Sequence, residues 1–384
     1  MEIRLADQRH ATTSLVADCV KSKYHNIKTI YKPADLVREM REEYEINISY
    51  LKAWRSREKA LHILRGKPDE SYAILPSFLY MLKTTNAGSV VELETKSNQS
   101  FLYVFMALDA SIKGWKYCRP VAVVDGTFLK GTYGGTLLSA TTQDAAGKIF
   151  PLAFSIVDSE NDASWEWFFT KIKETFGCRQ EMTIVSDRHE SIEKAIRKIY
   201  PEAAHGFCMY HLLNNLKNTY KKKSKCIKDS FYQAVKAYTV EEFEYHMNDL
   251  DKIDERIKPY LYNIGYHKWA TAFSINNRYS TMTSNIAESF NAVIAEAREL
   301  PITTLLEYLR SLVQDWSYAN RNNARSTFTN LAKRPQDMIN ENYIKSLKLQ
   351  VKLFILSLLL LLLLILVDCC FPLLFLIKFN EIFL

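Results

Sequence analysis

Cysteine is scarce in this chain: seven residues in 384, at Cys19, Cys118, Cys178, Cys208, Cys226, Cys369 and Cys370, odd in number and scattered. No apolar leader precedes the first charged residues. Both features argue against an extracellular disulfide framework and for a reducing compartment. Acid is missing from "KNTYKKKSKCIK", residues 217–228, which holds six lysines. Such a run reads either as phosphate contact or nuclear import, or as the solvated end of a helix. Long apolar runs are missing from the first 350 residues, which look nothing like a membrane protein. The exception comes later. From Leu353 to Val367 every residue but Ser357 is large and apolar. The length allows a span, but Asp368 and Pro372 disfavour a clean one. Leu, Phe, Ile and Val codons share T at the second position, so the expectation is a translated T-rich flank rather than a working anchor.

What is present suffices for a sizeable core: 48% of the chain is hydrophobic and 12% of the chain aromatic, with a formal net charge of +7. The positive balance suits a polyanionic partner without proving one. Residues 32–66 show a helical period through Leu36, Met40 and Tyr44, then Tyr50, Trp54, Ala60 and Leu64, ending at Gly66. Two helices joined near "INIS" read either as a small DNA-contacting module, with Lys52, Arg55, Arg57 and Lys59 on the second, or as a pair packed on the main domain. One more helix and a turn follow up to Ser89.

The texture changes at residue 98. "QSFLYVFMALDASIKGWKYC" reads as a strand and a short turn or helix. Strands are expected ending near Asp125, over Leu137–Thr142 and over Ile149–Val157, the last two joined by "DAAGK". Then come a helix from Ser164, a strand at Thr183–Ser186, a helix, and a strand at Ala204–Cys208. The order β-β-β-α-β-α-β predicts an α/β (α+β) fold: a ribonuclease-H-like mixed sheet flanked by helices.

That topology gives meaning to "VVDGTF". An apolar run ending in Asp125-Gly126 reads either as a turn or as a buried carboxylate that needs a partner. In the ribonuclease-H-like order the first and fourth strands are neighbours, so Asp125 and Asp187 would converge and could share a divalent cation. A third carboxylate is available in "TSNIAESFNAVIAEA", where Ile286, Phe290, Val293, Ile294 and Ala297 recur at helical spacing, with Ser284 or Asn285 as cap. Glu288 falls off that stripe, beside Ala292 and Ala295; its plainer reading is an exposed acid in a first turn. Rival acids are Asp158, Glu160, Asp162 and Glu190, the first three read as capping the helix at Ser164. Residues 211–280 read as a helical insertion.

"VVDGTFLKGTYGGTLLSATTQD", "FPLAFSIVDSENDASWEWFF", "IVSDRHESI", "HGFCMYHLLNN" and "TSNIAESFN" together resemble the transposase core of plant Mutator-like elements, from about residue 35 to 335. The resemblance implies a nuclear, DDE-type, Mg²⁺- or Mn²⁺-dependent recombinase that cuts and joins DNA at terminal inverted repeats and self-associates, with no small-molecule substrate. Carried over by motif, Asp125, Asp187 and Glu288 would be its catalytic, metal-binding triad. Lys221, Lys222 and Lys223, with Lys52, Arg55 and Arg57, would hold the DNA backbone. The family's Cys-x-x-His pair is matched by Cys208 and His211; as a lone pair it reads as a structural contact, since a closed Zn²⁺ site needs four ligands. The implied domains are a helical, truncated DNA-binding region at 1–95, the core at 96–335, and a linker with the Leu-rich tail at 336–384. Residues 1–30 hold one Cys and two His, too few for the zinc module expected there, and the tail stands where a downstream zinc finger would begin. The alternative reading is a domesticated DNA-binding or regulatory protein that no longer cuts.

Overall fold

The computed structural model describes residues 10–25, 31–220, 224–278, 281 and 285–347. Lys221, Lys222, Lys223, Ser284 and the apolar run from Leu353 lie outside them. Two units are distinguished, residues 1–328 and 329–384.

The first unit begins with α1 (Thr13–Val20), α2 (Pro33–Glu43), α3 (Tyr50–Arg65), α4 (Pro68–Ala73) and α5 (Leu75–Thr85). Local signals set their ends. Pro33 opens α2, where a missing N–H costs nothing. The Ser49 side chain caps α3 by accepting from Lys52 N, and Gly66, at φ 83°, closes it. The helices were legible, but the buried face of α3 was not. Tyr50 and Trp54 are 63% and 47% exposed, and the face that packs on α1 and α2 is Ala53, Ser56, Ala60 and Leu61. Small side chains let these helices approach closely.

Next come β1 (Val90–Thr95), β2 (Phe101–Ala107), α6 (Asp109–Trp115), β3 (Val121–Phe128), β4 (Thr136–Gln143), β5 (Ile149–Val157), α7 (Asp162–Phe176), β6 (Thr183–Ser186), α8 (Glu190–Ile199) and β7 (Ala204–Phe207). They form one mixed seven-stranded sheet in the order β1-β2-β5-β4-β3-β6-β7. The β3–β4–β5 meander is antiparallel, and β6 and β7 join through parallel crossovers. This is the ribonuclease-H-like arrangement expected from the sequence, extended by the β1–β2 hairpin, of which β1 was not expected.

Both faces of the sheet are covered, which is why central β4 is buried along nearly its whole length. On one face Ala122, Val124, Leu138 and Ala140 pack with Trp165, Phe168 and Phe169 of α7 and Ile192 and Ile196 of α8. On the other, Val104, Met106, Leu137 and Phe154 meet α5 and two later helices, α13 (Asn285–Val293) and α14 (Ile302–Arg325).

Between β7 and α13 lies the insertion: α9 (Met209–Thr219), α10 (Ser224–Lys236), α11 (Val240–Ile253) and α12 (Ile257–Ile264). Helices dominate its described part, with no strand among the described residues, and it has its own core of Leu212, Phe231, Phe243, Met247, Leu261 and Trp269. Then α13 (Asn285–Val293) and α14 (Ile302–Arg325) return to the sheet. Phe290 anchors α13, fully buried and stacked on Phe154 of β5 at 5.4 Å. The small residue that lets α13 lie close to the sheet is Ala287, packed on Val121, Val123 and Val185; Ala292 is exposed. In the second unit the described helix is α15 (Lys333–Ser346). Among the described residues no helix is long and apolar enough to cross a membrane.

Candidate metal centre at the strand ends

Asp125-Gly126 is not a turn. Strand β3 runs three residues past Asp125, which pairs with Ser139 while Gly126 pairs with Leu138. Side chains alternate along a strand, so Asp125 shares the face of Val121 and Val123, toward α13, and Gly126 shares the opposite face, toward α7.

Parallel register brings the second acid in. Val123 pairs with Val185 and Ser186 with Phe207. Two residues past the first pair and one past the second, Asp125 within β3 stands abreast of Asp187 and Cys208, which lie just past the ends of β6 and β7. Adjacent strands are about 4.8 Å apart, and ligands of open α/β sheets gather at such carboxyl ends. Asp187 is oriented locally, its Oδ1 accepting from His189 N at 3.0 Å.

The electrostatics follow from this crowding. Burial, and then the charge of Asp187, push the Asp125 carboxyl up to about 7, against the pull of His211. Asn291 of α13 donates from Nδ2 to Asp125 Oδ2 at 2.7 Å. Glu288 lies one turn before Asn291, on the same side of the helix. His211, three residues after Cys208 in the first turn of α9, is hydrogen-bonded to the Cys208 side chain. That bond, with the charges of Cys208, Asp187 and Glu288, raises His211 to about 9. Its imidazolium supplies positive charge to a cluster otherwise rich in carboxylates.

Glu160, a rival acid read from the sequence as a helix cap, instead belongs to this cluster. The cap of α7 is Asn161, whose Oδ1 accepts from Ser164 N at 2.9 Å while Ser164 Oγ accepts from Asn161 N at 3.0 Å. Asp158 is exposed and accepts from Ser159 N at 2.8 Å, and Asp162 accepts from Ser191 and Lys194. Glu190 is exposed and pairs with Lys194. Glu160 is thereby left free to turn toward the sheet. Its Oε1 accepts from the buried Trp165 Nε1 at 3.1 Å, and a Cβ on Gly126 would stand 3.1 Å from its carboxyl carbon and both oxygens. Burial pushes its carboxyl above the usual carboxylate range, opposed by His189 and reinforced by Asp187. The signal available in the sequence was the glycine directly after Asp125.

The donor set fits a hard divalent cation. Two aspartates repel one another, with Asp125 driven toward its neutral form, and the Asn291 Oδ1 beside Asp125 is buried without a hydrogen-bond partner. Asp125, Asp187 and Asn291 would hold Mg²⁺ through oxygen, the ligand it prefers. Glu288 sits differently from the simple triad. Its carboxylate groups with Cys208 and His211, the three ligand atoms lying within 4.8 Å of one another, whereas among the described residues Asp125, Asp187 and Glu288 form no such group.

The remaining candidates are scattered. Arg57 is half-buried and engaged with Glu58 and Glu299 at 2.7 and 3.7 Å. Arg55 is exposed and Lys52 half-buried on α3.

Known proteins match the region that carries these acids. The MULE transposase domain family matches residues 121–215, which span Asp125, Glu160, Asp187, Cys208 and His211. Protein FAR1-RELATED SEQUENCE 6 of Arabidopsis thaliana is 24% identical over 232 residues, 59% of this chain and 32% of that protein. Protein FAR1-RELATED SEQUENCE 5 of the same plant is 22% identical over 53% of this chain and 26% of its own length. The transposase for insertion sequence element IS256 in transposon Tn4001 of Staphylococcus aureus is 33% identical over 85 residues, 22% of this chain and 21% of that protein. The chain thus spans a third or less of the length of these relatives. Residues 121–215 thus match the Mutator-like element (MULE) transposase domain, and the mixed sheet that carries them agrees with that match.

Proposed function

We propose that this chain is the catalytic core of a DDE-type transposase acting on DNA in the nucleus, cleaving and transferring strands at terminal inverted repeats. The observation that carries the reading is the pair Asp125 and Asp187, set abreast by the β3–β6 register inside the matched domain. Glu288 is the third acid of the triad and Asn291 orients Asp125. Bound Mg²⁺ or Mn²⁺ would supply Lewis acidity toward the phosphodiester and the attacking hydroxyl.

The residues divide the rest of the work. Asp125 and Asp187 present hard oxygens at the strand ends, and the Asn291 bond fixes one oxygen of Asp125 so that the other can turn to a ligand. While it holds no metal, His211, raised to about 9 by its surroundings, favours approach of a phosphate to an otherwise anionic cluster. Exposed Arg55 and the lysines 221–223 supply sequence-independent backbone contacts, and self-association would pair two DNA ends.

Supercoiled plasmid incubated with the full chain in Mn²⁺ tests the reading. Nicking by the native chain that disappears with Asp125→Ala supports it. DNA binding with no nicking by either protein points to the domesticated, non-cutting regulator instead.

A further inference from the structure

The Cys208–His211–Glu288 group has a chemistry distinct from that of the aspartate pair beside it. Cys208 is fully buried at the end of β7 and is the N-cap residue of α9. A thiolate is favoured at such a helix start, but burial keeps it from any substrate, so a nucleophilic role is excluded. His211 follows at i+3, which puts both side chains on one side of the first turn. Glu288 arrives from α13, 77 residues later in sequence, and all three ligand atoms lie within 4.8 Å of one another. Tetrahedral ligation of zinc by sulfur, nitrogen and oxygen would hold these atoms about 3.3–3.6 Å apart. Side-chain adjustments of about an ångström close the difference. Sulfur, imidazole and carboxylate form a donor set for a borderline metal and a poor one for Mg²⁺.

We infer that Cys208, His211 and Glu288 form a second metal site, selective for Zn²⁺ over Mg²⁺, with three protein ligands and a fourth position open to water or a phosphate oxygen. Such a site ties α13 to the β7–α9 corner and so fixes the helix that carries Asn291 against Asp125. A carboxylate has two oxygens, so Glu288 can serve here with one and turn the other toward the aspartates. The inference does not rest on DNA cleavage at the aspartates.

Cobalt(II) added to the metal-stripped full chain is the probe. The expected result is one equivalent bound with a thiolate-to-cobalt charge-transfer band and strong tetrahedral ligand-field bands, unaffected by excess Mg²⁺. Cys208→Ser removes the charge-transfer band. Glu288→Gln, at a half-buried position that should not endanger folding, keeps it but weakens cobalt binding at least about ten-fold. Asp125→Asn leaves the spectrum intact, which separates this site from the Mg²⁺ site. No thiolate band, a band that survives Cys208→Ser, or an affinity indifferent to Glu288→Gln each overturns the inference. In those cases Cys208 and His211 are a hydrogen-bonded pair and nothing more. Cobalt binding lost with Asp125→Asn would also overturn it, as the metal would then belong to the aspartates.

Discussion

Gly126→Ala tests why a glycine follows the first aspartate. Gly126 is absent from the glycines with positive φ, so its backbone accepts an L-residue without strain. In that case alone, Ala should stabilise the protein by about 0.4–1 kcal/mol through the unfolded chain. The new Cβ, however, would stand 3.1 Å from the carboxyl carbon and both oxygens of Glu160, which must retreat by a few tenths of an ångström. Glu160 has little room to retreat, because its bond from Trp165 Nε1 is already 3.1 Å long. Trp165 is fully buried, and an unsatisfied N–H there costs about 1–3 kcal/mol. The net expectation is a loss of about 1–2 kcal/mol, read by urea denaturation followed by circular dichroism. Trp165→Phe removes the donor, so in that background Gly126→Ala should turn stabilising, with a coupling of at least about 1 kcal/mol. Stabilisation by Gly126→Ala in the native background, or additive effects in the cycle, would refute the reasoning.

Two further perturbations follow from the same geometry. Asp125→Asn should stabilise the metal-free protein at pH 8 by at most about 4 kcal/mol, the worth of raising an aspartate from its ordinary 3.8 to about 7. In the native chain that group's contribution is present below its unfolded value and lost as pH rises through about 7. His205 has the opposite sign: burial pushes it from 6.5 to about 4, so its contribution is present above 6.5 and lost as pH falls through about 4. The two oppose each other between about 4 and 6.5. Stability of Asp125→Asn should therefore climb with pH across that window by at most about 3 kcal/mol, which chemical denaturation at a series of pH values would measure. Phe290→Ala should cost about 3–5 kcal/mol in the same assay and weaken divalent-metal binding, since Phe290 seats the helix carrying Glu288 and Asn291 on Phe154.

The core sheet was legible because its signals are local. Apolar strand runs, the DAAGK turn and the period of α8 through Ile192, Ala195 and Ile196 mark β3 to β7 without ambiguity. Strand β1 was not legible, because "VVELET" is an edge strand only partly buried and carries two acids. The buried face of α3 was hidden by side-chain size: large Tyr50 and Trp54 are exposed while small Ala53 and Ser56 are buried. Asp125 and Asp187 could be read from strand order, which register then aligns. Glu160 and Asn291 could not, because their direction depends on three-dimensional events. Asn161 takes the cap of α7 and releases Glu160, and Phe290 fixes the rotation of α13 that points Asn291 at Asp125.

The central claim is that Asp125 and Asp187 form a divalent-metal site. Calorimetric titration of the full chain with Mn²⁺, beside Asp125→Asn and Asp187→Asn, tests it most directly and requires no knowledge of the DNA target. The account predicts saturable binding by the native chain that either substitution abolishes, with Gly126→Ala retaining it. Binding that survives both aspartate substitutions, or none by the native chain with or without DNA, would contradict it.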